Sequence, residues 1–315
     1  MSGTEKAVLR SLVCDPVDNL MINELNSNKF EVSYDPAIDA ETLKEKVKDF
    51  DVLVVRSRTK VTREVLEKAG RLKVIARAGI GTDNIDVKFA REKNIHIVTA
   101  AGSSTQSVSE LSIGLAVDLA RKIPLLDRKS KGNVWKKDTG IELYGKTAGI
   151  IGFGRIGYAT AKVLRAMGLN VIAYDIYQNQ KIIEEIDGSY VSLKDLLEKS
   201  DLIFVQATLT DGSSKLISKE EMDYIKQGVY IVNTSRSEFI DGPALLGALK
   251  EGRVAGYAAD VLWHEPPKEE WEKEIISLDN VIITPHIGAQ TVEAQHRVAQ
   301  YTVENLVKKM EEIGL

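Results

Sequence analysis

The chain has 315 residues, 43% of them hydrophobic, with 42 Lys and Arg against 46 Asp and Glu for a formal net charge of −4. That length accommodates two domains with sizeable cores, and the interspersed charge gives no basic stripe, so nucleic acid is not an expected partner. No apolar run approaches the ~20 residues of a membrane helix, and the start "MSGTEKAVLR" lacks the apolar segment of a secretory signal. Cys14 is the only cysteine, which excludes an internal disulfide and makes a reducing, cytoplasmic setting the expectation.

Strands are expected at 7–15, 29–35, 51–57, 72–79 and 95–100, then at 147–153, 170–175, 201–207, 229–235, 254–260 and 281–286. Helix-like segments lie between them, among them "DAETLKEKVKDF", "IGYATAKVLRAMG" and "SKEEMDYIKQG". Ser218 with Glu221 and Ser192 with Asp195 have the spacing of capping boxes. Strand–helix alternation on this scale predicts parallel sheets covered by helices and joined by right-handed crossovers. Two such series predict two doubly wound α/β domains. A long helix, Ser107 to about Lys122, marks the seam, with Leu111, Leu115, Leu119 and Ile123 as its apolar stripe and Ser112, Gly114 and Ala116 on a smoother side. A terminal helix, about Thr291 to Glu312, carries Ala299, Val303, Leu306 and Met310 at helical spacing.

The stretch "TAGIIGFGRIGYATAKVLRAMGLNVIAYD" holds Gly152-x-Gly154-x-x-Gly157. Such a triplet alone is weak, but this one follows a strand, opens a helix and leads to a second strand ending in Asp175. Gly152 permits the tight turn, Gly154 lets backbone approach a pyrophosphate, and Gly157 lets helix and strand pack closely. Asp175 can accept from a ribose 2′-hydroxyl and would repel a 2′-phosphate, so the expected cofactor is NAD and not NADP. No metal is expected.

Three further strand ends in this series carry polar groups. Arg236 follows "VYIVNTS" and can clamp a carboxylate. Asp260 ends a strand in "AADVLWHEPP", with Glu265 in the loop beyond it. His286, one of four histidines, stands at a strand mouth in "VIITPHIGAQT", after Pro285 and before Gly288. A histidine paired with a carboxylate holds a proton near neutral pH. Arginine, histidine and a nicotinamide are together what reduction of a 2-oxo acid requires.

With "VVRSRTKVT", "ARAGIGTDNID", "SVSELSIGLAVDLARKIP", "GKTAGIIGFGRIG", "NTSR" and "TPHIGA" added, nearly the whole chain resembles the D-isomer-specific 2-hydroxyacid dehydrogenases, and within them the phosphoglycerate dehydrogenases. The resemblance implies a Rossmann NAD domain, 102–286, inserted in a flavodoxin-like substrate domain made of 1–101 and the returning helix, 287–315. It implies Arg236 as substrate binder, Glu265 as partner of the histidine and His286 as proton donor. It implies cofactor contacts at Arg155, Ile156, Asp175, Ala207, Thr208, Thr234, Ser235, Arg236, Asp260, His286 and Gly288, besides the glycine loop, and substrate contacts at Arg56, Ser57, Ala78 and Gly79. It further implies a homodimer formed near 107–140 and a short form without a serine-binding C-terminal domain, hence activity insensitive to L-serine. The expected substrate is a small D-2-hydroxy or 2-oxo acid, 3-phosphoglycerate first, then hydroxypyruvate, glyoxylate or a branched 2-oxo acid. A non-enzymatic NAD-sensing scaffold is the rival from another class, and the retained Arg236, Glu265 and His286 speak against it. Arg56, Arg58 and Lys60, or Lys136 and Lys137 after Trp135, are candidate phosphate holders. Gln206, Ala207 and Thr208 depart from the family's usual His-x-Pro, Ser237 from its glycine, and "TAAGSST" from its Asn-Ala-Pro-Gly hinge.

Overall fold

The computed structural model describes residues 8–209 and 215–315. The chain divides into two units, Met1–Ser104 with Gln290–Leu315, and Thr105–Ala289. These seams lie a few residues beyond the 101/102 and 286/287 boundaries expected from sequence, and the long helix expected at the seam falls wholly in the second unit.

The first unit is built on β1 (Leu9–Val13), β2 (Phe30–Tyr34), β3 (Val52–Val55), β4 (Val74–Arg77) and β5 (His96–Thr99). They pair in parallel in the order β2-β1-β3-β4-β5. All four residues of β3 are buried, as a strand covered on both faces must be. Alternation divides them between two cores. Leu53 and Val55 join Leu12, Leu43, Leu66 and Ile75 on one face, while Val52 and Val54 join Val74 and Ala76 on the other. The terminal helix, Val292–Glu312, closes that second core with Val298, Ala299, Val303, Leu306 and Met310. Thr291 caps it by accepting from the Ala294 N–H at 3.1 Å. The order places a switch point between β1 and β3, where the crossovers reverse direction.

The second unit carries β6 (Thr147–Ile151), β7 (Asn170–Tyr174), β8 (Ser189–Tyr190), β9 (Leu202–Val205), β10 (Val229–Asn233), β11 (Val254–Ala259) and β12 (Val281–Ile283). They form one sheet in the order β12-β11-β10-β9-β6-β7-β8, every pair parallel. β8 was not expected from sequence, because two residues are too short to show any alternation. The switch point lies between β6 and β9. Because all strands run the same way, the residues that follow β6, β9, β10, β11 and β12 emerge at one edge of the sheet.

The helix expected to run to Lys122 spans Thr105–Arg121 and ends on a left-handed Lys122, φ 55°. A new helix, Ile123–Lys131, starts there with Pro124 in its first turn. Proline lacks the N–H needed to continue the first helix but is accepted in the first turn of a new one. Ile123 therefore leaves the expected stripe and is 46% exposed, and the buried face is Val108, Ser112, Leu115, Ala116, Leu119 and Ala120. Of the expected smooth side, Gly114 is exposed. The capping box at Ser218 and Glu221 is complete. Ser192 accepts from the Asp195 N–H, but Asp195 answers the Ser192 hydroxyl and not its backbone.

Candidate active site

After β6 the chain turns through Gly152, φ +92°, a conformation that glycine adopts without strain. A Cβ here would lie 2.4 Å from the Cα and N of Ala207, since the loop leaving β9 packs directly on this turn. Gly157 is held by space: its Cβ would meet the Gly152 carbonyl at 2.3 Å. The helix Arg155–Ala166 then starts on Gly154, which provides no side-chain cap, unlike Asp18, Asp39, Asp86, Ser218, Asp241 or Thr291 at other helices of the chain. Its first N–H groups have no side-chain cap from Gly154, and nothing lies within 4 Å of where a Gly154 Cβ would stand, so an anion could approach them. At the end of β7, Asp175 accepts from the Phe153 N–H at 2.6 Å and the Tyr177 N–H at 2.8 Å. An open, uncapped cradle beside a carboxylate tied to it fits a dinucleotide. Turnover with NADH should exceed that with NADPH, and Asp175→Ala should narrow the gap. Ratios of kcat/KM for the two cofactors measure this, and a wild-type preference for NADPH would overturn the role of Asp175.

Beyond β12 stands Thr284-Pro285-His286. The sequence suggests that Gly288 supplies the backbone freedom in this turn. Instead His286 itself is left-handed, φ 55°, which is uncommon for a residue with a Cβ. Gly288 sits in a tight place, a Cβ there falling 3.0 Å from Asp260 Oδ2 and 3.1 Å from Val108 Cγ2. Asp260, 2% exposed, holds the turn together. Its Oδ1 accepts from the Thr284 hydroxyl at 2.5 Å and the Ile287 N–H at 2.8 Å, and its Oδ2 from the Gly288 N–H at 2.7 Å. Expected as a cofactor contact, Asp260 is committed to the backbone that presents His286.

His286 Nδ1 lies 3.2 Å from Glu265 Oε2, and Glu265 Oε1 accepts from the Leu262 N–H at 3.2 Å. The bond to Glu265 raises the pKa of His286 above its ordinary value. Burial and the charge of Arg236 oppose the rise, and Asp260 assists it. The same bond lowers the pKa of Glu265 against burial, with help from the Leu262 N–H and Arg236. The pair therefore favours a charged imidazole beside a carboxylate, with Nδ1 turned to Glu265.

Arg236 follows β10 on a turn built by Asn233, which is fully buried. Asn233 Oδ1 accepts from the Ser235 N–H at 3.1 Å, and its Nδ2 donates to the Arg236 carbonyl at 3.0 Å. Thr234 shares a 2.8 Å hydrogen bond with Ser112, and Arg236 Nη1 donates to the Ser235 carbonyl at 2.7 Å. Sequence reasoning missed Asn233, although an asparagine closing an apolar strand is a sign of such a turn. Ser237 needs no glycine: it opens a short 3₁₀ turn, Ser237–Phe239, outside the left-handed region. Gln206 is turned inward at 8% exposure, donating to Ser112 at 3.1 Å and Thr160 at 2.9 Å. It ties two helices to the sheet and leaves Ala207 and Thr208 to follow the glycine turn.

The remaining expected residues lie in the first unit. Arg56 and Ser57 follow β3, Ala78 and Gly79 follow β4. Asp15, at the end of β1 and 1% exposed, gathers this loop, accepting from the Arg56 N–H, Arg58 Nε and the Thr59 hydroxyl. Arg58 also donates to the carbonyls of Cys14, Pro36 and Ile38, so its guanidinium ties its own loop together. Asn84 binds the Arg56 and Thr59 carbonyls at 2.7 and 2.6 Å. Arg56 Nη1 reaches the Pro16 carbonyl at 3.1 Å. Asp15 and Asn84 were not singled out from sequence. Gly79, φ +146°, lies against Arg77: a Cβ there would overlap Nη1 at 1.4 Å.

Residues 113–288 match the model of the D-isomer specific 2-hydroxyacid dehydrogenase NAD binding domain. A hydroxypyruvate reductase from Thermotoga maritima is 42% identical over 95% of this chain and 97% of its own length. The chain belongs to the D-isomer-specific 2-hydroxyacid dehydrogenase family. A D-3-phosphoglycerate dehydrogenase from Methanocaldococcus jannaschii is 43% identical over 96% of the chain, and the chain spans 57% of that protein's length. Among solved structures, D-lactate dehydrogenase from Aquifex aeolicus, complexed with NAD and lactic acid, superposes with a TM-score of 0.86 at 27% identity, covering 97% of this chain and 96% of its own. The family's NAD-binding domain is therefore the second unit, built around the glycine turn described above. No helix among the described residues is long and apolar enough to cross a membrane.

Proposed function

We propose that this chain is an NAD-dependent dehydrogenase interconverting a small D-2-hydroxy acid and its 2-oxo acid. The observation that carries it is the 3.2 Å pairing of His286 with Glu265, on the same sheet edge as Arg236 and the uncapped glycine turn. NAD, when bound, supplies or accepts the hydride. Gly152, Gly154, Gly157 and Asp175 hold it, with Thr208, Thr234 and Ser235 beside them. Arg236 clamps the substrate carboxylate and polarises the adjacent carbonyl. His286 Nε2 gives its proton to the carbonyl oxygen during reduction and takes it back during oxidation. Glu265 favours the charged imidazole and fixes the ring.

For the substrate, 3-phosphoglycerate and its 2-oxo form are our first reading, supported by the phosphoglycerate dehydrogenase relative and by Arg56, Lys60, Lys136 and Lys137 as remaining candidate cations. With Arg58 committed to its own loop, hydroxypyruvate or glyoxylate is the second reading, and the Thermotoga relative, matched over nearly its whole length, favours it. NADH consumption across phosphohydroxypyruvate, hydroxypyruvate, glyoxylate, pyruvate and 2-oxoisocaproate decides the ranking. On the first reading Arg56→Ala raises KM for phosphohydroxypyruvate far more than for glyoxylate, since phosphate contacts are charge-assisted. An equal rise for both refutes the phosphate role of Arg56. We also propose a homodimer, supported by exposed Val134, Trp135 and Tyr144 at 50%, 81% and 79%. A monomer mass by light scattering contradicts it.

A further inference from the structure

The loop that presents Glu265 is anchored by a residue far from any strand end. Glu272, in the first turn of the helix Glu270–Ser277, has a side chain with no exposure. A buried carboxylate is costly unless saturated with donors, and this one is. Its Oε1 accepts from the His264 N–H at 2.9 Å, and its Oε2 from the Lys268 and Glu269 N–H groups at 2.9 Å each. His264 Nδ1 stands 3.0 Å from Oε2. Burial pushes the pKa of Glu272 up, but these donors outweigh it and hold the carboxylate ionised. The donors come from both sides of Glu265: position 264 before it, positions 268 and 269 after it. The loop has one further anchor, since Trp263 donates to the Ile240 carbonyl at 3.1 Å and meets Trp271 edge-on at 4.8 Å.

We propose that Glu272 is a positioning residue for the proton-donating pair, clasping the loop 264–269 so that Glu265 stays within hydrogen-bond reach of His286. This rests on the roles proposed above for His286 and Glu265. The geometry is specific. Glu272 is the N3 member of a capping box, as Glu221 is in the box at Ser218, and a box alone needs only the bond to the N-cap N–H of Glu269; the bonds to the His264 and Lys268 N–H groups go beyond it. Here a single carboxylate spans the turn and accepts from three backbone N–H groups and a ring, at a residue that makes no contact with His286. Without the clasp, the backbone of 264–269 loses bonds on both sides of Glu265, and the 3.2 Å contact becomes one of several loop states. The charged groups facing His286 are Glu265, Asp260 and Arg236. Only Glu265 stands on the clasped loop, so only its contribution should change.

The test reads the His286 ring directly by NMR titration, which needs no substrate. In Glu272→Gln the amide nitrogen faces donors where an acceptor is required. The His286 titration midpoint should fall by about half a unit to one unit, in the direction of the fall produced by Glu265→Gln. Adding Glu272→Gln to Glu265→Gln should produce no further fall. If Glu272→Gln does not fold, His264→Ala removes the ring arm alone and should give a smaller fall of the same sign. An unchanged midpoint in a folded Glu272→Gln or His264→Ala variant overturns the proposal, leaving Glu272 as a stability element read only in melting temperature. Failure of the wild type to reduce any 2-oxo acid would refute the proposed function instead, and the two failures are separable.

Discussion

His286→Asn should lower kcat for 2-oxo acid reduction by about 10²–10⁴-fold, the usual worth of a general acid–base group. Asparagine tolerates the left-handed backbone that His286 adopts better than most residues. The turn held by Asp260 should therefore persist, and the loss should report the missing proton and not a collapsed loop. NADH affinity, measured by fluorescence titration, should change little, because the cofactor is held by the glycine turn and Asp175. Near-normal kcat would return His286 to the role of a structural turn residue.

Arg236→Ala should lower kcat/KM for every 2-oxo acid by about 10²–10³-fold, since truncating one partner of a desolvated charge pair costs roughly 2–5 kcal/mol. Arg236→Lys should recover only part of this, because an ammonium keeps the charge but not the planar fork that binds a carboxylate in two places. The turn itself should survive, as Asn233 holds it through the backbone of residues 235 and 236. Steady-state kinetics with NADH saturating check the expectation. A loss confined to NADH affinity would place Arg236 on the cofactor alone.

The sequence signals that worked were those with a local cause. Parallel strands buried on both faces read as continuous apolar runs, and β3 is wholly buried as such a run demands. The glycine triplet is legible because each glycine answers a steric need, seen at Gly152 and Gly157 as contacts under 2.5 Å. What could not be read depends on who faces whom across long stretches of chain. Arg58 looks like a surface cation until Asp15 and three carbonyls are found around it. Asp260 stands at a strand end, and its hold on the N–H groups of residues 287 and 288 shows only in the fold. Gln206 donates to both Ser112 and Thr160, a three-way contact that no spacing reveals. Pro124 was the missed local signal, since it breaks the long helix one residue after Arg121 by rules that apply to any chain.

We assign to His286, held by Glu265, the proton that accompanies hydride transfer in reduction, and the pH dependence of kcat for reduction, measured in the wild type and in Glu265→Gln, tests that assignment. Glu265 raises the pKa of His286, so the acid form persists to higher pH than in a free imidazole and is lost as pH rises through that raised value. The wild type should show activity falling along a single alkaline limb, and in Glu265→Gln that limb should move to lower pH. An unshifted limb in a folded Glu265→Gln variant would contradict the claim and move the proton source elsewhere.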